Sequence, residues 1–226
     1  MAKVKSKYVC QNCGYESAGY LGRCPDCGSW SSFVEESISV EKNTLIEELV
    51  LQDTYPPQKL SDIELNTEIR TPTNISEFDR VLGGGIVKGS LVLIAGDPGI
   101  GKSTILLQTS GEICKTNKKV LYISAEESAS QVKLRAERLG VKSDNLYIYA
   151  QTNFELIKKH ILDLKPELVI VDSIQAIYTS KIQSSAGSVS QIRECCNSLM
   201  NIAKTENVSI FVIGHVTKEG NIAGPK

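Results

Sequence analysis

The sequence has no run of about 18 or more apolar residues, so no segment of it reads as a membrane-spanning helix. Its first ten residues, MAKVKSKYVC, lack the apolar core of a secretory signal, and the expected location is the cytoplasm. There is no excess of charge of either sign. Lys and Arg number 25 against 26 Asp and Glu, so contact with nucleic acid cannot come from the charge of the whole chain and must come from a local patch or an assembly. No internal repeat occurs at any fixed period, which excludes a solenoid. Without an oxidising compartment, the seven cysteines are not expected to pair as disulfides.

What is present suits one domain of ordinary size and a small appendage: 226 residues, 41% of them apolar, can build a core. Residues 1–33 hold two tight cysteine pairs and the only tryptophan, Trp30. Residues 34–57 are rich in acid (Glu35, Glu36, Glu41, Glu47, Glu48, Asp53), carry one base (Lys42), and close with Pro56-Pro57, which reads as a linker. From residue 58 to 226, short apolar runs alternate with helical patterns. SLVLIAG (90–96), KVLYIS (119–124), NLYIYA (145–150), LVIVD (168–172) and SIFVIG (209–214) are continuous apolar runs, the mark of strands buried on both faces of a parallel sheet. Helices are expected near 102–115, 129–139, 153–164 and 190–206. The alternation predicts an α/β fold whose ligands bind beyond the C-terminal strand ends.

Gly96-Asp97-Pro98-Gly99-Ile100-Gly101-Lys102-Ser103 fits G-x-x-x-x-G-K-[ST], between an expected strand and an expected helix. The glycines let the backbone turn its N–H groups toward phosphate oxygens, and the helix N-terminus adds partial positive charge. Lys102 is placed to meet the β- and γ-phosphates, and Ser103 to offer its hydroxyl to Mg²⁺. Residues 96–103 with Thr104 form the expected nucleotide site. Asp172, at the tip of LVIVD, is the candidate acid for the Mg²⁺ shell; alone, it would read as a strand-end cap. Hydrolysis also needs a group to orient or deprotonate water. Glu126 is the first candidate and Glu127 the second, since both follow KVLYIS at the same sheet edge; both also suit the first turn of the next helix.

Cys10-x2-Cys13 and Cys24-x2-Cys27, ten residues apart, each form a knuckle followed by Gly14 or Gly28. Four thiolates favour Zn²⁺ in a closed structural site, with iron as the competing metal. Some thirty residues with few apolar side chains need such a metal to fold. Arg23, Lys3, Lys5 and Lys7 leave the module a choice of DNA or protein contact. Cys114, Cys195 and Cys196 lie in expected helices and read as small buried hydrophobes. His160 reads as a solvated helix residue.

LGGGIVKGSLVLIAGDPGIGKST, LYISAEES, LVIVDSIQ and GHVTKEGNIAGPK, together with the four-cysteine motif, closely resemble the RadA (Sms) family of bacterial DNA-repair ATPases, a branch of the RecA-like ATPases. The resemblance implies a RecA-like P-loop NTPase with a mainly parallel central sheet and a small zinc ribbon built on the four cysteines. It implies DNA-stimulated ATP hydrolysis and branch migration in homologous recombination. It also implies single-stranded and branched DNA, a hexameric ring, and recombinase or other repair proteins as partners. By the same resemblance Glu126 corresponds to the water-activating glutamate. His215, after SIFVIG, stands where a γ-phosphate-sensing polar residue belongs, though it also fits a plain strand-end histidine. The polar stretch YTSKIQSSAGSVS (178–190) resembles a first DNA-facing loop, with Lys181 and Gln183 as contacts. Lys218 and 219–226 resemble the start of a second. The family continues into a Lys-Asn-Arg-Phe-Gly motif and a Lon-like domain, so a chain with neither is expected to be a truncated piece. Two other readings stand beside this one. One is a KaiC-like regulatory ATPase acting on protein assemblies without DNA. The other is a zinc-ribbon interaction module with a decaying ATPase, favoured if Glu126 and Glu127 both lie far from the γ-phosphate position.

Overall fold

The computed structural model describes residues 5–38, 59–62 and 70–215. Two sheets organise it. The first is antiparallel, with β1 (Lys5–Cys10) between β2 (Glu16–Ser17) and β3 (Phe33–Ile38). β3 runs past residue 33, where the cysteine module was expected to end. The acidic pair Glu35-Glu36 disguises a strand whose register with β1 sets Cys10 opposite Phe33 and Val9 opposite Val34. Phe33 and Glu36 are buried while Val34 and Glu35 are exposed, so the strand does not show a simple two-residue alternation. The remainder of the expected linker, residues 39–57, lies outside the described residues.

The second sheet is wholly parallel, in the order β4-β8-β7-β5-β6, from β4 (Leu91–Gly96), β5 (Val120–Ser124), β6 (Leu146–Ala150), β7 (Leu168–Asp172) and β8 (Ser209–His215). Its helices are α1 (Ser76–Val81), α2 (Lys102–Lys115), α3 (Ala129–Arg138), α4 (Phe154–Leu164) and α5 (Val189–Glu206). Alternate side chains of the central strands feed two cores. Leu121, Ile123, Val169, Val171, Ile210 and Val212 pack with α4 and α5. Val120, Tyr122, Leu168, Ile170, Phe211 and Ile213 pack with α2 and α3. A strand with a core on each side must be apolar at every position, which is why these runs do not alternate. The expectation of burial on both faces holds for β5, β7 and β8. It fails for β4 and β6, which are partly exposed because they are the outer strands among the described residues.

Local signals set the helix ends. Ser128 and Gln131 form a reciprocal capping box at α3. Asn153 caps α4 and Ser188 caps α5 through their side chains. α1 has no side-chain cap and no buried residue and is not among the expected helices, although Glu77 and Asp79 in its first turn, Arg80 in its last and the glycines at 83–85 suit a short helix. Among the described residues, no helix is long and apolar enough to cross a membrane.

Candidate functional site

β4 ends at Gly96, and the chain turns through Asp97–Gly101 into α2. Gly99 (φ +81°) and Gly101 (φ +101°) occupy the left-handed region, where an L side chain is strained. A Cβ built on either meets nothing within 4 Å, so the inner surface of the bend is bare backbone with open space above it. Lys102 is buried to 7% exposure, and its Nζ donates to the Gly96 and Asp97 carbonyls at 2.7 Å each. An ammonium held at the mouth of a glycine bend, at the positive end of a fourteen-residue helix, makes a cradle for phosphate oxygens. The donor set and the open bend fit a nucleoside triphosphate.

The sheet brings the other candidates to the same edge. In the β4–β8 register, Gly96 is opposite His215. In the β5–β7 register, Ser124 is opposite Asp172, and the Ala125 N–H extends the ladder by donating to the Asp172 carbonyl at 2.7 Å. This carries Glu126 across to β7 and β8. Its Oε1 accepts from the Ser173 hydroxyl and lies 3.5 Å from His215 Nε2. Glu126 remains about half exposed.

Glu127 faces elsewhere. Its carboxylate pairs with Arg135 of α3 at 3.1 Å. Its carbonyl accepts from Ser124 Oγ at 2.7 Å, and its N–H donates back at 3.2 Å. Asp172 is held through Oδ2, which accepts from the Tyr122 hydroxyl and lies 3.7 Å from Arg135 Nη2. Burial, and next the Asp172 charge, push the Tyr122 phenol well above its ordinary range, so it stays protonated and donates. Sequence reasoning missed Ser173, Tyr122 and Arg135. Only Ser173 gave a signal, being the polar neighbour of Asp172.

The loop residues Lys181 and Gln183 are exposed. Lys218 and 219–226 lie outside the described residues. His160 is exposed as expected, but its ring stacks edge-on against Tyr149 with centroids 4.6 Å apart. Cys114 and Cys195 are buried and Cys196 is partly buried. Burial pushes the Cys195 thiol up to about 12 and the Cys196 thiol to about 11, so neither is a ready nucleophile.

In the small sheet, the sulfurs of Cys10, Cys13, Cys24 and Cys27 all lie within 4.8 Å of one another. Cys10 and Cys27 are 3.7 Å apart, and Cys13 and Cys24 3.5 Å. A metal about 2.3 Å from each sulfur of a tetrahedron requires edges of about 3.8 Å, so the set fits such an ion. Each knuckle closes the same way: Gly14 N–H donates to the Cys10 carbonyl at 2.8 Å, and Gly28 N–H to the Cys24 carbonyl at 3.0 Å. Both glycines have positive φ. Four protein ligands leave no open position, so the centre is structural. Among the described residues its apolar cluster is Cys10, Cys24 and Phe33, with Tyr8, Cys13 and Leu21 at the margin, and Val9 is buried besides. Removing metal with a chelator is therefore expected to collapse the amide dispersion of residues 5–38 in NMR spectra. The main thermal transition of the larger α/β core should persist, because its apolar clusters are distinct from that of the small sheet. Loss of both in one step would overturn this separation.

Fold and site together define an α/β P-loop nucleotide-binding domain joined to a structural zinc ribbon with four cysteine ligands. The family model described as AAA domain matches residues 56–221, and that described as rubredoxin metal binding domain, a zinc ribbon, matches residues 8–35. The chain belongs to the AAA domain family, and over its whole length it is homologous to the zinc module and ATPase domain of DNA repair protein RadA. It is 54% identical to that protein from Listeria monocytogenes. It is 52% identical to those from Bacillus subtilis and Halalkalibacterium halodurans. All of this chain aligns in each case, and it spans about half the length of these relatives, 50% of each.

Proposed function

We propose that the chain is the ATP-binding and ATP-hydrolysing part of a DNA-dependent ATPase acting in homologous recombination and DNA repair. The observation that carries the reading is the contact of Glu126 with His215, whose backbone pairs with Gly96 at the entrance to the phosphate bend. In this reading, residues 96–104 hold the nucleotide, with Lys102 at the β- and γ-phosphates. Ser103 and the second carboxylate oxygen of Asp172, Oδ1, would hold Mg²⁺, which when bound supplies charge neutralisation at the phosphates. Glu126 orients and deprotonates water, supported by Ser173, and His215 senses the γ-phosphate through its contact with Glu126. Glu127 is left to bind Arg135. The names of the relatives support a role in DNA repair and lend nothing to the regulatory alternative.

Single-stranded and branched DNA would meet Lys181 and Gln183 on the polar loop, in a hexameric ring able to work beside a recombinase. Contacts of this kind go to phosphates, so they respond strongly to salt and little to sequence. Binding of a fluorescent oligo-dT to the chain, followed by anisotropy as salt rises, tests this reading together with phosphate release with and without DNA. The expected result is binding at low salt, with log affinity falling by about 0.7 per phosphate neutralised for each tenfold rise in salt. Turnover should increase when DNA is added. Absence of both binding and stimulation at low salt would sink the DNA reading and leave the nucleotide site untouched.

A further inference from the structure

The loop between β7 and α5 is rich in serine and carries a glycine, a composition that by itself specifies no conformation. It is nevertheless wrapped around one side chain. Gln191, in the first turn of α5, is 1% exposed. Its Oε1 accepts from the Thr179 N–H at 2.8 Å. Its Nε2 donates to the carbonyls of Thr179 at 3.1 Å, Ile182 at 3.0 Å and Ser184 at 2.9 Å. Two N–H bonds are shared among three carbonyls, so a single buried amide satisfies four backbone groups that would otherwise be orphaned away from water.

Neighbouring hydroxyls extend the staple. Ser188 Oγ accepts from the Gln191 N–H at 3.3 Å and donates to Ser184 Oγ at 3.0 Å. Thr179 Oγ1 donates to Glu155 at 2.5 Å and accepts from the Lys181 N–H at 3.3 Å. Thr179, Ser184 and Ser188 are thereby turned inward, while Ser180, Lys181, Gln183 and Ser185 are exposed. The outward direction of the two candidate contact residues follows from the inward direction of their neighbours.

We propose that Gln191 is the positioning residue of a single-strand-binding loop, fixing the backbone of 179–184 so that Lys181 and Gln183 face a phosphodiester chain. The proposal rests on the reading of this loop as a DNA contact. Gln191 lies on α5 and its side chain bonds only to residues 179–184, so its loss is expected to leave nucleotide binding intact.

The test compares Gln191→Met, which keeps length and removes every hydrogen bond, with Gln191→Glu, which can accept from Thr179 but offers nothing to the three carbonyls. Gln191→Asn retains an amide one methylene short and is the milder variant should either of the others fail to fold. Amide hydrogen exchange of 179–184, affinity for a fluorescent ATP analogue, and affinity for oligo-dT are measured on each. The expected result for Gln191→Met and Gln191→Glu is faster loop exchange and about tenfold weaker oligo-dT binding, with analogue affinity unchanged and Gln191→Asn in between. Loop exchange like wild type in Gln191→Met overturns the staple. Faster exchange with unaltered oligo-dT affinity also overturns the proposal, and Lys181→Ala locates the fault. If Lys181→Ala also binds normally, the loop is not a DNA contact; if Lys181→Ala binds weakly, the loop reading stands and Gln191 does not position it.

Discussion

Replacing Lys102 with alanine is expected to reduce nucleotide turnover by at least about 1,000-fold, the scale of losing a preorganised charge from a phosphoryl-transfer site. Lys102 is held in place at the bend by the Gly96 and Asp97 carbonyls. The backbone N–H groups of 99–103 carry only partial charge, so they cannot replace a full positive charge opposite a triphosphate. The fold should survive. Gly96 is partly exposed and Asp97 exposed, so water can take over both carbonyls when the ammonium goes. Lys102→Arg should not rescue, because a planar fork does not fit where a compact ammonium is buried. Phosphate release gives the rate, circular dichroism the fold, and calorimetry with ATP the affinity. Turnover within tenfold of wild type would remove the phosphate bend from the account altogether.

The parts of this architecture that the sequence disclosed are those governed by local physics. The Val and Ile runs of β5, β7 and β8 marked strands buried twice over, and the phosphate bend announced itself through glycine spacing and a following helix. The cysteine spacing likewise suffices to indicate a metal site, because each C-x-x-C pair is local. Illegible were features decided by partners far along the chain. Glu126 and Glu127 are adjacent and chemically equal; Arg135 captures one, Ser173 and His215 approach the other, and no local pattern announces this. Gln191 reads from sequence as an ordinary polar residue early in a helix, because its partners span 179–184 and only the folded loop buries it. β3 was obscured by two acids on an outer strand of a small sheet, one of them, Glu36, buried, so no apolar pattern marks the strand. α1 carries acids in its first turn and a base in its last, but at six residues with none buried it is too short to show an apolar period.

The division between the two glutamates leads to the second large effect. Glu126→Gln is expected to lower turnover by about 100- to 10,000-fold, the range of losing a positioned general base, while ATP still binds. The amide keeps the shape and can still meet Ser173, but it cannot take a proton from water. Glu127→Gln should turn over within a few-fold of wild type. Its carboxylate faces Arg135, which keeps its bond to the Tyr122 hydroxyl, so the loss of this half-buried pair is expected to cost on the order of 1 kcal/mol of stability. Single-turnover phosphate release separates chemistry from binding, and a fluorescent ATP analogue reports binding directly. A Glu126→Gln variant that hydrolyses normally, beside a Glu127→Gln variant that does not, would reverse the assignment. The contact with His215 would then be a packing consequence of β8 ending beside β4 rather than a link between the base and the phosphate bend.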